Sequence, residues 1–568
     1  MAKDSPIDFI VTGGPVYTSD PDHEWAEAFV VSGGKIKAVG TEAELRALAG
    51  GSVPVLDLEG RLALPGLVDV HAHLGLGGRQ LAFELPLLPT DSTAEIFAKV
   101  RAWVERLGPE EWVVGGIVGS TVMDDITVQD LQLLDEAAQG HTVMLRDDSM
   151  HNRWVNSRAL EVMGVTRDSP NLEGGTYVRD DAGNLTGVLH ELAGGLAEAA
   201  AAASIRDLDQ YNAVALKTAI RTLNSFGITS VQEAATMDYA LKTLHHLDGQ
   251  GELTAQVVAS MPSRTFIEPG ITGPDLYEIG SKHRSEHVRP DFSKYVLDGV
   301  PMTRTSAMLH PYICSHPTHE PDFTGESLWE LADLVRSLED LVDRGLHAKL
   351  HATGDAAVRR VLDAVEAVRK SRGYGAIFQI AHVEYIDDAD LRRFAELQVV
   401  PDASPYLWFP SVIQESIAKQ IPAETFDKSW PLRDLFEDGA LVSGGSDWPC
   451  AAPTPDPWTG LETMVTRRSP DPSVAGELNA GQGIDLRQAV AAFTRNPAAA
   501  MGLGEVTGML RPGLAADFIV LDQDIFREDP SAIHKTKVLQ TYFEGRLVYD
   551  AGDADGSAHT SDMVRSSS

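Results

Sequence analysis

The sequence predicts an α/β protein built on a (β/α)8 TIM-like barrel, with a small composite β-sandwich formed by both termini and a subdomain inserted after the first barrel strand. Three observations predict it. First, the middle of the chain alternates apolar strand-like runs with amphipathic helical runs, the pattern of βα units around a parallel sheet. Second, both ends are rich in short β-like runs broken by Gly-Gly and other turn residues. Third, a stretch of more than a hundred residues after the first strand keeps no βα rhythm and is too long for a loop.

The eight strand-like runs are "LVDVHAH", "ITSVQEA", "LTAQVVASM", "SKYVLDG", "HAKLHATGD", "IFQIAHVE", "VVPDASPY" and "LVSGGSDWP". Helical runs lie between most of them, among them residues 204–226, 328–344 and 356–372. At the ends, "FIVTGGPVYTSD" and "AEAFVVSGGKIKAVG" pair in character with "ADFIVLDQD" and "VLQTYFEGRLVYD". The expected boundaries are 1–63 with 505–550 for the β-sandwich, 64–80 with 204–504 for the barrel, 81–203 for the insertion and 551–568 for a polar, disordered tail.

Composition narrows the function. A chain of 568 residues, 43% hydrophobic and 23% charged, is an ordinary globular protein of several domains. Lys and Arg number 47 against 83 Asp and Glu, a formal charge of −36 that repels nucleic acid and anionic lipid. Two cysteines, Cys314 and Cys450, are too few for a disulfide framework or a cysteine-rich metal knuckle. The opening residues lack a signal-peptide pattern, and no apolar stretch is long enough to span a membrane. The expectation is a cytoplasmic protein with a small-molecule substrate, no nucleic-acid or membrane partner, and a homodimeric state.

The chemistry is carried by residues at strand ends, where barrels place their active sites. His71 and His73 close the first strand; residues i and i+2 of a strand share a face, so both imidazoles project the same way. His351 closes the fifth strand, His382 the sixth, and Asp447 the eighth. Four imidazoles and one carboxylate at one mouth suit one or two divalent ions, with Zn²⁺ the expected one. Such an ion makes water a nucleophile at neutral pH, and Asp447 can take up the proton and pass it to a leaving group. Taken alone, Asp447 is equally a helix cap.

These motifs resemble the amidohydrolase superfamily, in the branch called amidohydrolase family 3 or YtcJ-like, to which N-substituted formamide deformylase belongs. The resemblance rests on "LPGLVDVHAH", "KYVLDG", "LHATGDAAV", "AHVE", "GSDWP", "AFTRNPAAAMG" and "GMLRPGLAADFIVLD", and inside the insertion on "DDSMHNRWVNSRAL" and "GGTYVRDDAGNLTGVLHE". It runs from about Asp8 to Asp550. It implies a metal-bearing barrel, a β domain from both termini and hydrolysis of C–N bonds. By this resemblance His71 and His73 bind one metal, His351 and His382 bind a second or complete the first, and Asp447 is ligand and general base. It also makes Lys294 a candidate ligand in carboxylated form, bridging two metals; the alternative is a barrel-wall lysine paired with Asp298 or Glu233.

The expected reaction is hydrolysis of a linear or N-substituted amide, with His382 helping Asp447 by holding the developing oxyanion. Deamination, decarboxylation, isomerisation and ester hydrolysis remain open on the same fold, as does a catalytically inactive scaffold. Candidates to contact substrate are His151 and Asn156 in the insertion, Arg304 after the fourth strand, Tyr406 and Trp408 after the seventh, and Trp448 beside Asp447. Loop or subdomain packing is the alternative for each. His316 and His319 have no partner set at metal-binding spacing and are assigned to a mobile loop.

Overall fold

A computed structural model describes residues 6–147, 152–172, 174–265, 270–314 and 322–553. His151, His316 and His319 fall outside the described residues, as does all but the start of the polar tail. The described chain forms two compact units, one gathering residues up to Leu74 and from Ile220 onward, the other Gly75–Ala219.

The first unit is centred on eight parallel strands that follow one another in chain order. They are β1 (Leu67–Ala72), β2 (Ile228–Glu233), β3 (Gln256–Pro262), β4 (Val288–Val296), β5 (His347–Ala352), β6 (Phe378–His382), β7 (Val399–Ala403) and β8 (Ser443–Gly444). Every residue of β1, β2, β3 and β7 is buried, as expected of strands covered on both faces. The barrel closes between β8 and β1 through backbone bonds: Asp447 N–H donates to the His71 carbonyl (2.7 Å) and His73 N–H to the Trp448 carbonyl (2.7 Å).

That closure requires a glycine at 445. A Cβ there would lie 2.7 Å from the His71 Cβ and 2.8 Å from its backbone nitrogen. Only a residue without a side chain lets β8 approach the histidine strand so closely. Asp69 reinforces the seam, accepting the N–H groups of His71 (2.9 Å) and Ser446 (3.0 Å) and the Ser446 hydroxyl (2.6 Å).

Two further sheets belong to this unit, the first built from N-terminal strands and the second from strands of both termini. One orders Lys35–Gly40, Ala28–Ser32, Phe9–Thr12 and Val55–Asp57; the other orders Arg546–Asp550, Val538–Phe543, Phe518–Leu521, Ala63–Pro65, Val16–Tyr17 and Trp25–Ala26. A shared core joins them, with Phe29 edge-on to Phe518 (5.0 Å) and Phe518 stacked on Tyr542 (4.2 Å). The composite sandwich arises because strands from opposite ends of the chain bury one apolar layer.

The second unit holds a six-stranded mixed sheet, ordered Gly175–Arg179, Leu185–Glu191, Asn152–Val155, Val143–Asp147, Val113–Val118 and Leu85–Pro86. Helices Thr93–Val104 and Val128–Ala138 begin with capping boxes, Ser92 with Glu95 and Thr127 with Asp130. Their apolar faces pack with the strands in one core. No helix among the described residues is long and apolar enough to cross a membrane.

Candidate metal centre at the strand ends

Asp447 is the meeting point. Its Oδ1 lies 3.3 Å from His73 Nε2 and 3.6 Å from His71 Nε2, and its Oδ2 lies 4.0 Å from His382 Nδ1. His71, His73 and Asp447 therefore offer three ligand atoms within one ion's reach. Residues from β1, β6 and the end of β8 come together although they are far apart in sequence. Asp447 and His382 both hold positive φ, 51° and 77°, as does Val383 at 38°. Such conformations cost about 1–3 kcal/mol each and persist where the surroundings impose them.

His71 is fixed from behind. Its Nδ1 is 2.8 Å from Asp402 Oδ2, and the same carboxylate oxygen accepts from the Lys349 ammonium. Lys349 and Asp402 are fully buried. With Nδ1–H donated to a carboxylate, the lone pair on Nε2 faces Asp447, the tautomer a metal ligand needs. Sequence reasoning missed both residues. The signal for Lys349 was present, since it precedes His351 by two and so shares its face of β5.

His351 and His382 stand next to the triad rather than within it. Their rings are 4.6 Å apart, and His382 is 4.9 Å from His71. His351 Nε2 is 3.0 Å from the Gly299 carbonyl, an arrangement that places the proton on Nε2 and leaves Nδ1 as the lone-pair nitrogen. Asp298 organises that loop by accepting the N–H groups of Ala307, Thr353 and Gly354. His382 Nδ1 is 3.3 Å from the Ser404 hydroxyl.

The electrostatics favour uncharged imidazoles. Burial, joined by the nearby Lys294 ammonium, holds His71 well below its ordinary value and His351 at about 4. Burial and His351 hold His382 at about 3. Asp447 shifts the other way: burial raises it, but attraction to any proton held on His71 and the hydrogen bond with His73 outweigh burial and keep the carboxylate below its usual range. Neutral imidazoles and an ionised carboxylate are the protonation states that bind a divalent cation. Lys294 Nζ is 3.3 Å from His71 Nε2, and burial with Lys349 brings its pKa to about 8.

The other predicted residues are held by local contacts. Arg304 has φ 62°, donates to the Ile313 carbonyl (3.0 Å) and lies over the Tyr312 ring (5.3 Å). Tyr406, Trp408 and Trp448 are buried; Trp408 stacks on Trp430 at 5.8 Å. Trp448 supplies the carbonyl that closes the barrel onto His73. Asn156, in the second unit, caps the helix Ser157–Val162 and accepts the Val143 N–H.

A family model described as the amidohydrolase family matches residues 54–549. The chain belongs to the amidohydrolase family. It is 26% identical over 552 residues to N-substituted formamide deformylase of Arthrobacter pascens, covering 96% of this chain and 98% of the relative. It is equally 26% identical to the putative amidohydrolase YtcJ of Bacillus subtilis (strain 168), covering 95% and 98%. Among solved structures, an uncharacterized metal-dependent hydrolase from Pyrococcus horikoshii OT3 superposes with TM-score 0.73 at 22% identity, covering 92% of this chain and 99% of that one. The chain is thus an amidohydrolase-fold hydrolytic enzyme.

Proposed function

We propose that the protein hydrolyses a non-peptide C–N bond, in a linear or N-substituted amide of a small molecule, with metal held by His71, His73 and Asp447. The observation that carries this is the convergence of Asp447 with three imidazoles at the barrel mouth. A relative named N-substituted formamide deformylase, similar over 96% of the chain, supports the choice of bond.

The donor set fits a borderline ion such as Zn²⁺: two imidazole nitrogens, that of His71 held uncharged by burial, and one carboxylate. His351 and His382, with Lys294 in carboxylated form, would hold a second. The uncharged amine is the form that adds CO₂, and a lysine brought to about 8 presents it near neutral pH. An ion held here supplies Lewis-acid polarisation of the scissile carbonyl and lowers the pKa of water.

The remaining steps belong to the chain. Asp447, ionised throughout the physiological range, accepts the proton released as water oxygen bonds to the carbonyl carbon. It returns that proton to the nitrogen as the C–N bond breaks, giving a carboxylic acid and an amine. His382, whose Nδ1 lies 4.0 Å from Asp447 Oδ2, assists by hydrogen-bonding the oxygen that gains charge. Tyr406, Trp408 and Trp448 would form apolar walls of the substrate pocket, and Arg304 would hold a substrate carboxylate or carbonyl.

The test is a panel of N-substituted amides, esters and lactones, read for amine, acid and CO₂ release by the metal-loaded enzyme. Amine and acid in equal amounts, abolished in Asp447→Asn, is the expected result. CO₂ release without hydrolysis, or cleavage restricted to esters, contradicts the proposal. Intact mass under non-denaturing conditions, with and without bicarbonate, reports the state of Lys294.

A further inference from the structure

Among the described residues Arg467 is a buried cation with no carboxylate partner. It ends the helix Pro457–Thr466 that follows β8, and its side chain is fully buried. Its Nε donates to the Leu478 carbonyl at 2.9 Å. Its Nη1 and Nη2 have no hydrogen-bond partner among the described residues. Its guanidinium lies 5.1 Å from the ring centroid of Trp408, and the Trp408 indole N–H is also buried without a partner. Burial alone draws its pKa down, to about 9, with no carboxylate nearby to oppose it, so it stays charged at neutral pH.

A buried, charged guanidinium needs compensation that one carbonyl and one aromatic face do not supply. Donors dominate what is unsatisfied around Trp408: the four Nη hydrogens and the indole N–H, against one neutral acceptor, the Oε1 of Gln414, whose Nε2 bonds the Leu407 carbonyl. The missing partner must therefore offer acceptors, and the positive charge selects a negative one. We propose that Arg467, against Trp408, is the binding site of a small monovalent anion, a halide or a one- or two-carbon carboxylate.

The site also reaches the functional end of the barrel. Trp408 stacks on Trp430 (5.8 Å), which lies 6.5 Å from Tyr385, three residues beyond His382. A bound anion fixes Arg467 against this aromatic row and so steadies the segments after β6 and β7. Glu and Asp side chains play that part for most buried arginines; here an exchangeable ion does.

The experiment uses the full chain at constant ionic strength, with gluconate replaced stepwise by chloride, bromide or formate. At about a hundredfold excess over Kd, Tm of the native protein should rise by about 2–3 °C. Arg467→Met, which replaces the cation with an apolar side chain of similar length, should show no such rise. Crystals grown with bromide should carry an anomalous peak at the guanidinium, a readout that stands even where the variant fails to fold. A response to halides alone assigns the site to halide, and a response to formate alone to carboxylate. Water at the guanidinium in crystals grown with bromide and also in crystals grown with formate, or an equal Tm shift in Arg467→Met, overturns the proposal.

Discussion

Two histidine–carboxylate clusters sit in the same unit and have opposite charge states. At the strand ends, His71 and His73 face Asp447. Away from it, at the start of β4, His287 Nδ1 is 2.6 Å from Asp248 and its Nε2 is 3.3 Å from Glu544, with Glu286 close by. Both satisfy the spacing of a metal site. At the first, burial and two lysines keep the imidazole uncharged. At the second, burial is opposed and overcome by Glu544 and Asp248, which raise His287 to about 9. Ligand spacing is therefore not sufficient: at the second cluster a metal must first displace the proton that Glu544 and Asp248 hold on His287, whereas His71 already presents a lone pair.

Removing Asp447 breaks the contrast most severely. Asp447→Asn keeps the shape but loses the proton acceptor, and hydrolysis should fall by about 10²–10⁴-fold. The matching change in the other cluster, Glu544→Gln, should leave kcat and KM unchanged. Equal losses from both would erase the distinction drawn between them.

Asp402 sharpens the comparison. It fixes the His71 tautomer from behind as Asp248 fixes His287, but only His71 has a lone pair facing the site. Asp402→Asn should weaken metal binding by about 10–100-fold, measured by chelator competition. Unchanged metal affinity in a folded variant would show that the buried Lys349–Asp402 pair serves stability alone.

The two clusters also titrate in opposite directions, a smaller effect. His287 has a folded pKa raised above its unfolded value near 6.5, so its stabilisation is complete below that pH and is lost as pH rises toward about 9. His351 and His382 have depressed values, about 4 and about 3, so the folded apoprotein is favoured above pH 6.5 and loses that advantage as pH falls toward them. Urea midpoints of the metal-free protein should decline on both sides of neutrality. His287→Gln should flatten only the alkaline limb, and His382→Gln should reduce only the acid one. A single slope across the range would contradict the assigned charge states.

Much of this was legible in the sequence because its signals are local. All eight barrel strands read as apolar runs, and the placement of His71, His73, His351, His382 and Asp447 at strand ends follows from alternation and strand order alone. The supporting residues were not, because their partners are distant. Asp402 reads as one carboxylate in "VVPDASPY"; only closure of the barrel brings it to His71, 331 positions earlier. Gly445 reads as one of two adjacent glycines until the approach of β1 shows why it has no side chain. The sheet inside Gly75–Ala219 was not read at all, since its strands pair across long separations and one, Val113–Val118, carries two central glycines. His287 shows the converse: its neighbour Glu286 is visible in sequence, but the carboxylates that charge it come from Asp248 and Glu544.

The central claim is that divalent metal binds at the barrel mouth and not at the second cluster. Metal content per chain, measured after growth in metal-sufficient medium, tests it directly on three proteins: native, His71→Ala/His73→Ala, and His287→Gln/Glu544→Gln. The account predicts one or two ions per chain in the native protein, near-complete loss in the first double variant and full retention in the second. Metal retained without His71 and His73, or lost with His287 and Glu544, would contradict it.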